Sequence, residues 1–498
     1  MYHAHRYSSG SESEQHVSTL TQKQRAGLRR PEHGQRVAPT VIIAVLAMCG
    51  VVVSLMQTLV IPIIPQLPEL LGTSAANASW VVTATLLAGA IATPISGRLG
   101  DMFGKRRMLI ISLAAVVAGS VICAVFASLV PVIVGRVLQG LAVGAIPLGI
   151  SIMRDELPPE RLGSAMAIMS ATLGVGGALG MPIAAAIAEA ANWHVLFWVS
   201  AALGAVCGAA VLTLVPESPV RTPARFDYAG AVGLSIGLTA LLLGITKGGD
   251  WGWASAATLG SFAVGVVVLV IWGVLELRTA APLVDLRVSA RGTVLFTNLA
   301  SIAVGFAMYG MSLTLPQVLM APEQTGYGLG LSMVVAGLAL APGGLVMMAL
   351  SPVSARISAA RGPKITLMLG AAVVGVGYLG ALCLMDNVVE IIVASMVIAG
   401  GIGLAYAAMP ALIMSSVPVS ETAAANGLNS LMRSVGTSTS AAVTSVVLAQ
   451  NAMTLGGHTL PSLGGFHLAF LIAVAAAAVA VGLTACIPSR RAGRTLDG

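Results

Sequence analysis

Runs of about twenty apolar residues, each long enough to cross a bilayer, recur along this chain from Val41 to Ile487. No other feature narrows the possible folds as much, because a segment in hydrocarbon must satisfy its own backbone hydrogen bonds. Barrel strands would alternate polar and apolar residues, and these runs do not. Helices are left. The sequence predicts spans near Val41–Pro62, Ala78–Gly97, Met108–Leu129, Pro131–Met153, Gly163–Ala188, Trp193–Val215 and Asp227–Thr246. Seven more follow, at Ala254–Leu275, Val294–Met320, Gly328–Leu350, Ile365–Leu384, Val388–Ser415, Ala423–Leu448 and Phe466–Ile487. The expected fold is therefore an all-α polytopic membrane protein with fourteen transmembrane helices. Hydrophobic residues make up 57% of the chain, above the ~45–50% of soluble domains, and mean hydropathy is +0.92.

The net charge of +7 does not build a nucleic-acid face, because the basic residues lie scattered between spans. They read as topology signals. With fourteen spans, twenty-three of the 26 Lys and Arg residues fall on one side, only Lys247 falls in a loop on the other, and Arg136 and Arg433 lie within spans. Both termini are then expected in the cytoplasm. The polar stretch 1–37 reads as a disordered cytoplasmic tail, and 489–498 as a second tail. None of the five cysteines makes a CxxC or Cys/His pair, so neither a disulfide framework nor a metal site is expected.

A repeat divides the rest. The charged stretch Gly97–Leu109 follows the second span of the first half, and Ser351–Lys364 follows the second span of the last. Val41 to Gly97 and Leu295 to Ser351 are the same distance, 56 residues. The expected organisation is a six-helix bundle over 38–216, a linker with two extra helices over 217–291, and a second six-helix bundle over 292–488. Repeated halves around a midplane site are the architecture of rocking transporters.

Gly97–Leu109, GRLGDMFGKRRML, packs Arg98, Asp101, Lys105, Arg106 and Arg107 between two apolar runs. Ionised groups in hydrocarbon are costly, which predicts a loop at the water interface. Its pattern resembles the G-x-L-a-D-x-x-G-[RK]-[RK] motif of the major facilitator superfamily, with Gly97, Leu99, Asp101, Gly104, Lys105 and Arg106 matching. Three further stretches carry the likeness. Arg136, Gln139 and Gly140 match the fourth-helix motif R-x-x-Q-G. Gly174–Pro182 is similar to the glycine-rich fifth helix of exporters, with Gly176, Gly180 and Pro182 near its spacing and Met181 parting the usual Gly-Pro pair. Asn429–Gly436, NSLMRSVG, resembles a late stretch of the fourteen-helix drug:proton antiporter-2 branch, and places Arg433 in the thirteenth span.

The resemblance implies roles. Gly97, Asp101, Gly104, Lys105, Arg106 and Arg107 would form a cytoplasmic gating latch, and Asp155 would join it through the charged stretch RDELPPER. Gly174, Gly176, Gly180 and Pro182 would make a hinge helix. A buried arginine is a functional candidate by default, and Gln139 lies on the same helix face as Arg136. The substrate and proton pathway is assigned to Gln57, Arg136, Gln139, Glu156 and Arg433. Arg433 could serve equally as an interhelical tie. In related transporters the first span carries an embedded Asp where this chain has Met56. Proton coupling is thus implied by the resemblance and has no carboxylate in the first span.

The spans offer small and apolar side chains, which suit a hydrophobic or amphipathic substrate, neutral or anionic, better than a sugar. The expectation is a monomeric plasma-membrane exporter of drug-like or natural-product compounds, in contact with the bilayer, its substrate and protons, and needing no cofactor beyond the proton gradient. A transporter of one small metabolite is the alternative, and a membrane receptor the less favoured one. No nucleotide loop, metal cluster or nucleophile motif points to an enzyme.

Overall fold

Fourteen long helices follow the order of the predicted spans in the computed structural model, which describes residues 38–218, 221, 225–455 and 458–488. The expected tails, 1–37 and 489–498, lie outside the described residues, as do five positions of the linker. The helices belong to one compact unit, which begins at Pro39.

The first six helices are α1 (Pro39–Thr58), α2 (Trp80–Phe103), α3 (Lys105–Val125), α4 (Leu129–Glu156), α5 (Pro159–Ala190) and α6 (His194–Leu214). The inserted pair is α7 (Tyr228–Trp251) and α8 (Ala256–Arg278). The last six are α9 (Gly292–Met320), α10 (Met333–Arg361), α11 (Pro363–Cys383), α12 (Val388–Met414), α13 (Thr422–Gln450) and α14 (Leu463–Ala485). A small antiparallel hairpin, β1 (Ala452–Leu455) with β2 (His458–Pro461), joins α13 to α14.

Thirteen of these helices are both long enough and apolar enough to cross a membrane. The exception is α13, which is 29 residues long but rich in Asn, Ser and Thr. Its polar side chains Asn426, Asn429, Ser430, Arg433, Ser438, Ser440 and Thr444 are all buried. A helix that turns its polar stripe inward need not look lipophilic in composition. By contrast α8, on the periphery, exposes Val266, Val267, Val270, Ile271 and Val274, as a lipid-facing helix should.

Two of the predicted loops are helical. The stretch Gly97–Leu109 is not a solvated loop: α2 runs through Phe103, α3 begins at Lys105, and Gly104 alone makes the turn, at φ +110°. Likewise Ser351–Arg361 continues α10, and Gly362 turns at φ +86°. The prediction equated charge with a loop: in the first stretch Asp101 and Lys105 find partners inside the protein, while in the second Arg356 and Arg361 stay exposed on helical backbone. Lys247, expected in a loop on the other side, is also helical and buried near the end of α7. There its ammonium lies 5.1 Å from the centroid of the Trp80 ring and bonds Ser79 and Asp250.

The helices up to α6 meet those from α9 along two seams. In one, α5 packs against α10 and α12; in the other, α2 packs against α13. Helix α7 leans on both sides of the second seam. Its Leu234, Leu238 and Leu242 share one apolar cluster with Leu87 and Ala90 of α2 and Leu431 of α13.

Candidate functional site

At one end of the α2–α13 seam the charged cluster of the sequence becomes a buried network. The Asp101 carboxylate accepts from the backbone amides of Ala423 at 3.4 Å and Ala424 at 3.0 Å, in the first turn of α13. Those amides have no partner within their own helix, and the helix dipole favours an anion there. Lys105 holds Asp101 from behind at 3.6 Å and Asp155 at 2.6 Å, with all three side chains fully buried. The Ser218 hydroxyl donates to the same Asp155 oxygen. Arg154, at the end of α4, reaches across the seam to Thr422, to the Met414 carbonyl at 2.9 Å and to that of Val417.

Gly97 is where the two helices touch. A Cβ there would sit 2.5 Å from the Ala423 carbonyl oxygen. Gly104 combines its positive φ with close contact to the Glu217 carboxylate. Arg106 turns away from the seam and bonds the carbonyls of Val211 and Leu212 at the end of α6, where the dipole favours a cation. Arg107 is exposed. The cluster therefore divides: Asp101, Lys105 and Asp155 with Gly97 join the halves, while Arg106 fastens α3 to α6.

The second seam is built differently. The Ser351 hydroxyl donates to the Ala167 carbonyl and the Ser170 hydroxyl to that of Tyr406, both at 3.0 Å. The four hinge-helix positions fall on two faces of α5. A Cβ at Gly176 would meet the Val51 carbonyl oxygen at 2.7 Å, and one at Gly180 would meet the Thr58 hydroxyl, so this face packs on α1. Gly174 faces the Met347 thioether and Pro182 faces Gly337, so that face packs on α10. The repeat-related positions Gly97 and Ser351 are thus both contacts between halves, one in each seam.

Midway along the α2–α13 seam lies a cavity of about 80 Å³. Its walls come from six helices and include Gln57, Thr85, Met308, Tyr406, Ser430, Arg433, Ser434 and Thr437. Among the described residues that line it, Arg433 is the only charged one. Its Nη1 donates to Asn429 Oδ1 at 3.0 Å and its Nη2 to Ser430 Oγ at 2.7 Å, and the guanidinium lies 5.1 Å from the centroid of the Tyr406 ring. Asn429 in turn donates to Asn298 and Ser301 of α9.

Arg136 and Gln139 stand together beside this cavity and do not line it. Arg136 Nη1 donates to Gln139 Oε1 at 2.7 Å and to the Met56 carbonyl at 3.3 Å, and its Nε donates to the Val81 carbonyl. Gln139 passes the chain on to Ser120. At Met56, where related transporters carry an acid, the guanidinium takes a backbone oxygen instead. Of the residues assigned to the substrate and proton pathway, Gln57 and Arg433 therefore line the cavity, and Arg136 and Gln139 form a closed tie next to it. Glu156 is not brought there; it ends α4 next to Asp155. The assignment missed Tyr406, a lone ring among the aliphatic residues of α12, and Arg154, whose acceptors are mostly backbone atoms that no sequence pattern marks.

These features define a multi-pass helical membrane protein whose polar interior lies on a seam between two sets of six helices. The chain belongs to the Major Facilitator Superfamily, whose model matches residues 46–441. It is a transporter of that family. It is 28% identical over 444 residues to the tetracenomycin C resistance and export protein of Streptomyces glaucescens, covering 87% of this chain and 80% of that protein. The lincomycin resistance protein LmrB of Listeria monocytogenes is 27% identical over 76% of this chain and 79% of its own length. The probable multidrug resistance protein EmrY of Escherichia coli is 30% identical over 59% and 57%. A crystal structure of the human organic anion transporter MFSD10 (TETRAN) has the same fold, with a TM-score of 0.64 at 13% identity over 90% of this chain and 99% of that one.

Proposed function

We propose that this transporter exports hydrophobic or amphipathic drug-like or natural-product compounds across the plasma membrane by alternating access, in exchange for protons, with both termini in the cytoplasm. The observation that carries the reading is the pairing of a cavity between the halves with a buried ionic latch at one end of the same seam. At about 80 Å³ the cavity is too small for a drug-sized molecule, which needs ~300 Å³ or more. Loading it requires the seam to part, and the latch is what holds the seam shut. The names of the relatives, which speak of resistance to and export of tetracenomycin C and of resistance to lincomycin, support the same cargo class.

Proton coupling, in this reading, acts through the latch, because no carboxylate lines the cavity among the described residues. A proton on Asp101 would cancel the charge facing the first turn of α13 and free the halves to separate. The test is flux from proteoliposomes holding a mixed antibiotic library after a pH jump, alongside accumulation in cells with and without the protein. Cargo should move against its gradient when the proton gradient is imposed and stop when it is collapsed. Equal accumulation in both cell types, with normal surface expression, would overturn the proposal.

A further inference from the structure

Two arginines are buried in the middle of this molecule, and they are satisfied unequally. Moving a guanidinium out of water costs several kcal/mol, and the cost is recovered only through well-placed acceptors. Arg136 receives two backbone carbonyls and an amide oxygen from three different helices, and is fully enclosed. Arg433 receives only two neutral side-chain oxygens, both from residues one turn back on its own helix. No Asp or Glu lies within ion-pair distance of it among the described residues. The Tyr406 ring lies 5.1 Å from its guanidinium. Arg433 faces the cavity, while Arg136 does not.

The rest of the cavity wall fits one kind of occupant. Ser430, Ser434 and Thr437 flank Arg433 along one face of α13 and offer hydroxyls, and Gln57 offers an amide from the opposite half. Tyr406 supplies a flat ring beneath the cation, and the remaining lining is largely aliphatic. We infer that Arg433 is the counter-charge for an organic anion: a carboxylate, sulfonate or phenolate carried on an apolar, planar scaffold. The ligand's charge would complete what two neutral oxygens leave undone, and its ring system would lie against Tyr406 and the aliphatic wall. Hydrogen bonds between two ionised partners are shorter and stronger than those to the neutral oxygens Arg433 now has. The inference deepens the export reading by fixing the cargo's charge, and rests on it.

The test uses the full-length protein in lipid nanodiscs and three probes of one shape, titrated calorimetrically: naphthalene-2-sulfonate, the neutral naphthalene-2-sulfonamide and 2-naphthyltrimethylammonium. The sulfonate should bind roughly tenfold tighter than the sulfonamide, and the ammonium weakest. Arg433→Gln should erase the preference for sulfonate over sulfonamide, and Arg433→Lys should keep part of it. The wild-type comparison stands by itself if a variant fails to fold. Equal or tighter binding of the neutral or cationic probe, no saturable sulfonate binding up to millimolar, or an unchanged preference in Arg433→Gln would each overturn the inference. Proteoliposome flux separates the two readings. Selective sulfonate binding without any flux keeps the anion site and removes export; flux favouring the ammonium keeps export and removes the site.

Discussion

The two seams between the halves are closed by different physics. Along α2–α13 the contact is made by charge: Asp101 on the first turn of α13, Lys105 behind it and Arg154 across to Met414 and Val417. Along α5–α10 it is made by shape and neutral hydroxyls: Ser351 on Ala167, Ser170 on Tyr406, Gly174 on Met347. A charged contact depends on ionisation and can be released by a proton. A contact of small residues is indifferent to pH and lets backbones roll at short range. In the proposed cycle the first seam would gate and the second would pivot.

Substitutions can break this contrast. The largest effect is expected from Lys105→Met, which leaves Asp101 and Asp155 buried without their common cation. Removing one member of a buried pair costs about 3–5 kcal/mol, so the melting temperature and yield in detergent should fall sharply. Gly97→Val comes next. Its side chain would press on the Ala423 backbone, and the overpacking cost of ~1–3 kcal/mol should hold the seam open and cut efflux by roughly tenfold or more. Helix content by circular dichroism should be unchanged.

Asp101→Asn keeps the shape of the latch and removes its charge. The interaction with a partly buried helix end is worth up to ~2 kcal/mol, so efflux should fall several-fold or more with normal membrane insertion. Near-normal flux would remove the latch assignment. Gly174→Ala should do least, because the added methyl meets the flexible Met347 thioether, and efflux should stay within about twofold. A loss as large as that of Gly97→Val would mean that both seams gate.

Much of this architecture was legible in the chain, for reasons that particular residues make plain. Apolar runs located the helices because lipid demands them. The span at Ala423–Leu448 was expected with the rest, although Asn426, Asn429 and Arg433 dilute the hydropathy of the helix it became, α13. The spacing of Arg136 and Gln139 by three residues anticipates a shared face, and the two do bond. The latch was legible only in part. Asp101 stood out among bases, but its carboxylate accepts from the amides of Ala423 and Ala424, which any residue but proline could supply. The expected loop at Gly97–Leu109 failed for the same reason, whereas Ser351–Lys364 keeps Arg356 and Arg361 exposed and differs only in being helical up to Gly362. A sequence displays which residues are charged and conceals which of them meet partners far along the chain.

The placement of α7 bears on how cargo reaches the protein. By resting on α2 and α13 together, it covers one flank of the seam between them, and in the proposed export cycle it would stand between the lipid and that seam. Cargo taken from the bilayer would then have to enter by another side of the molecule.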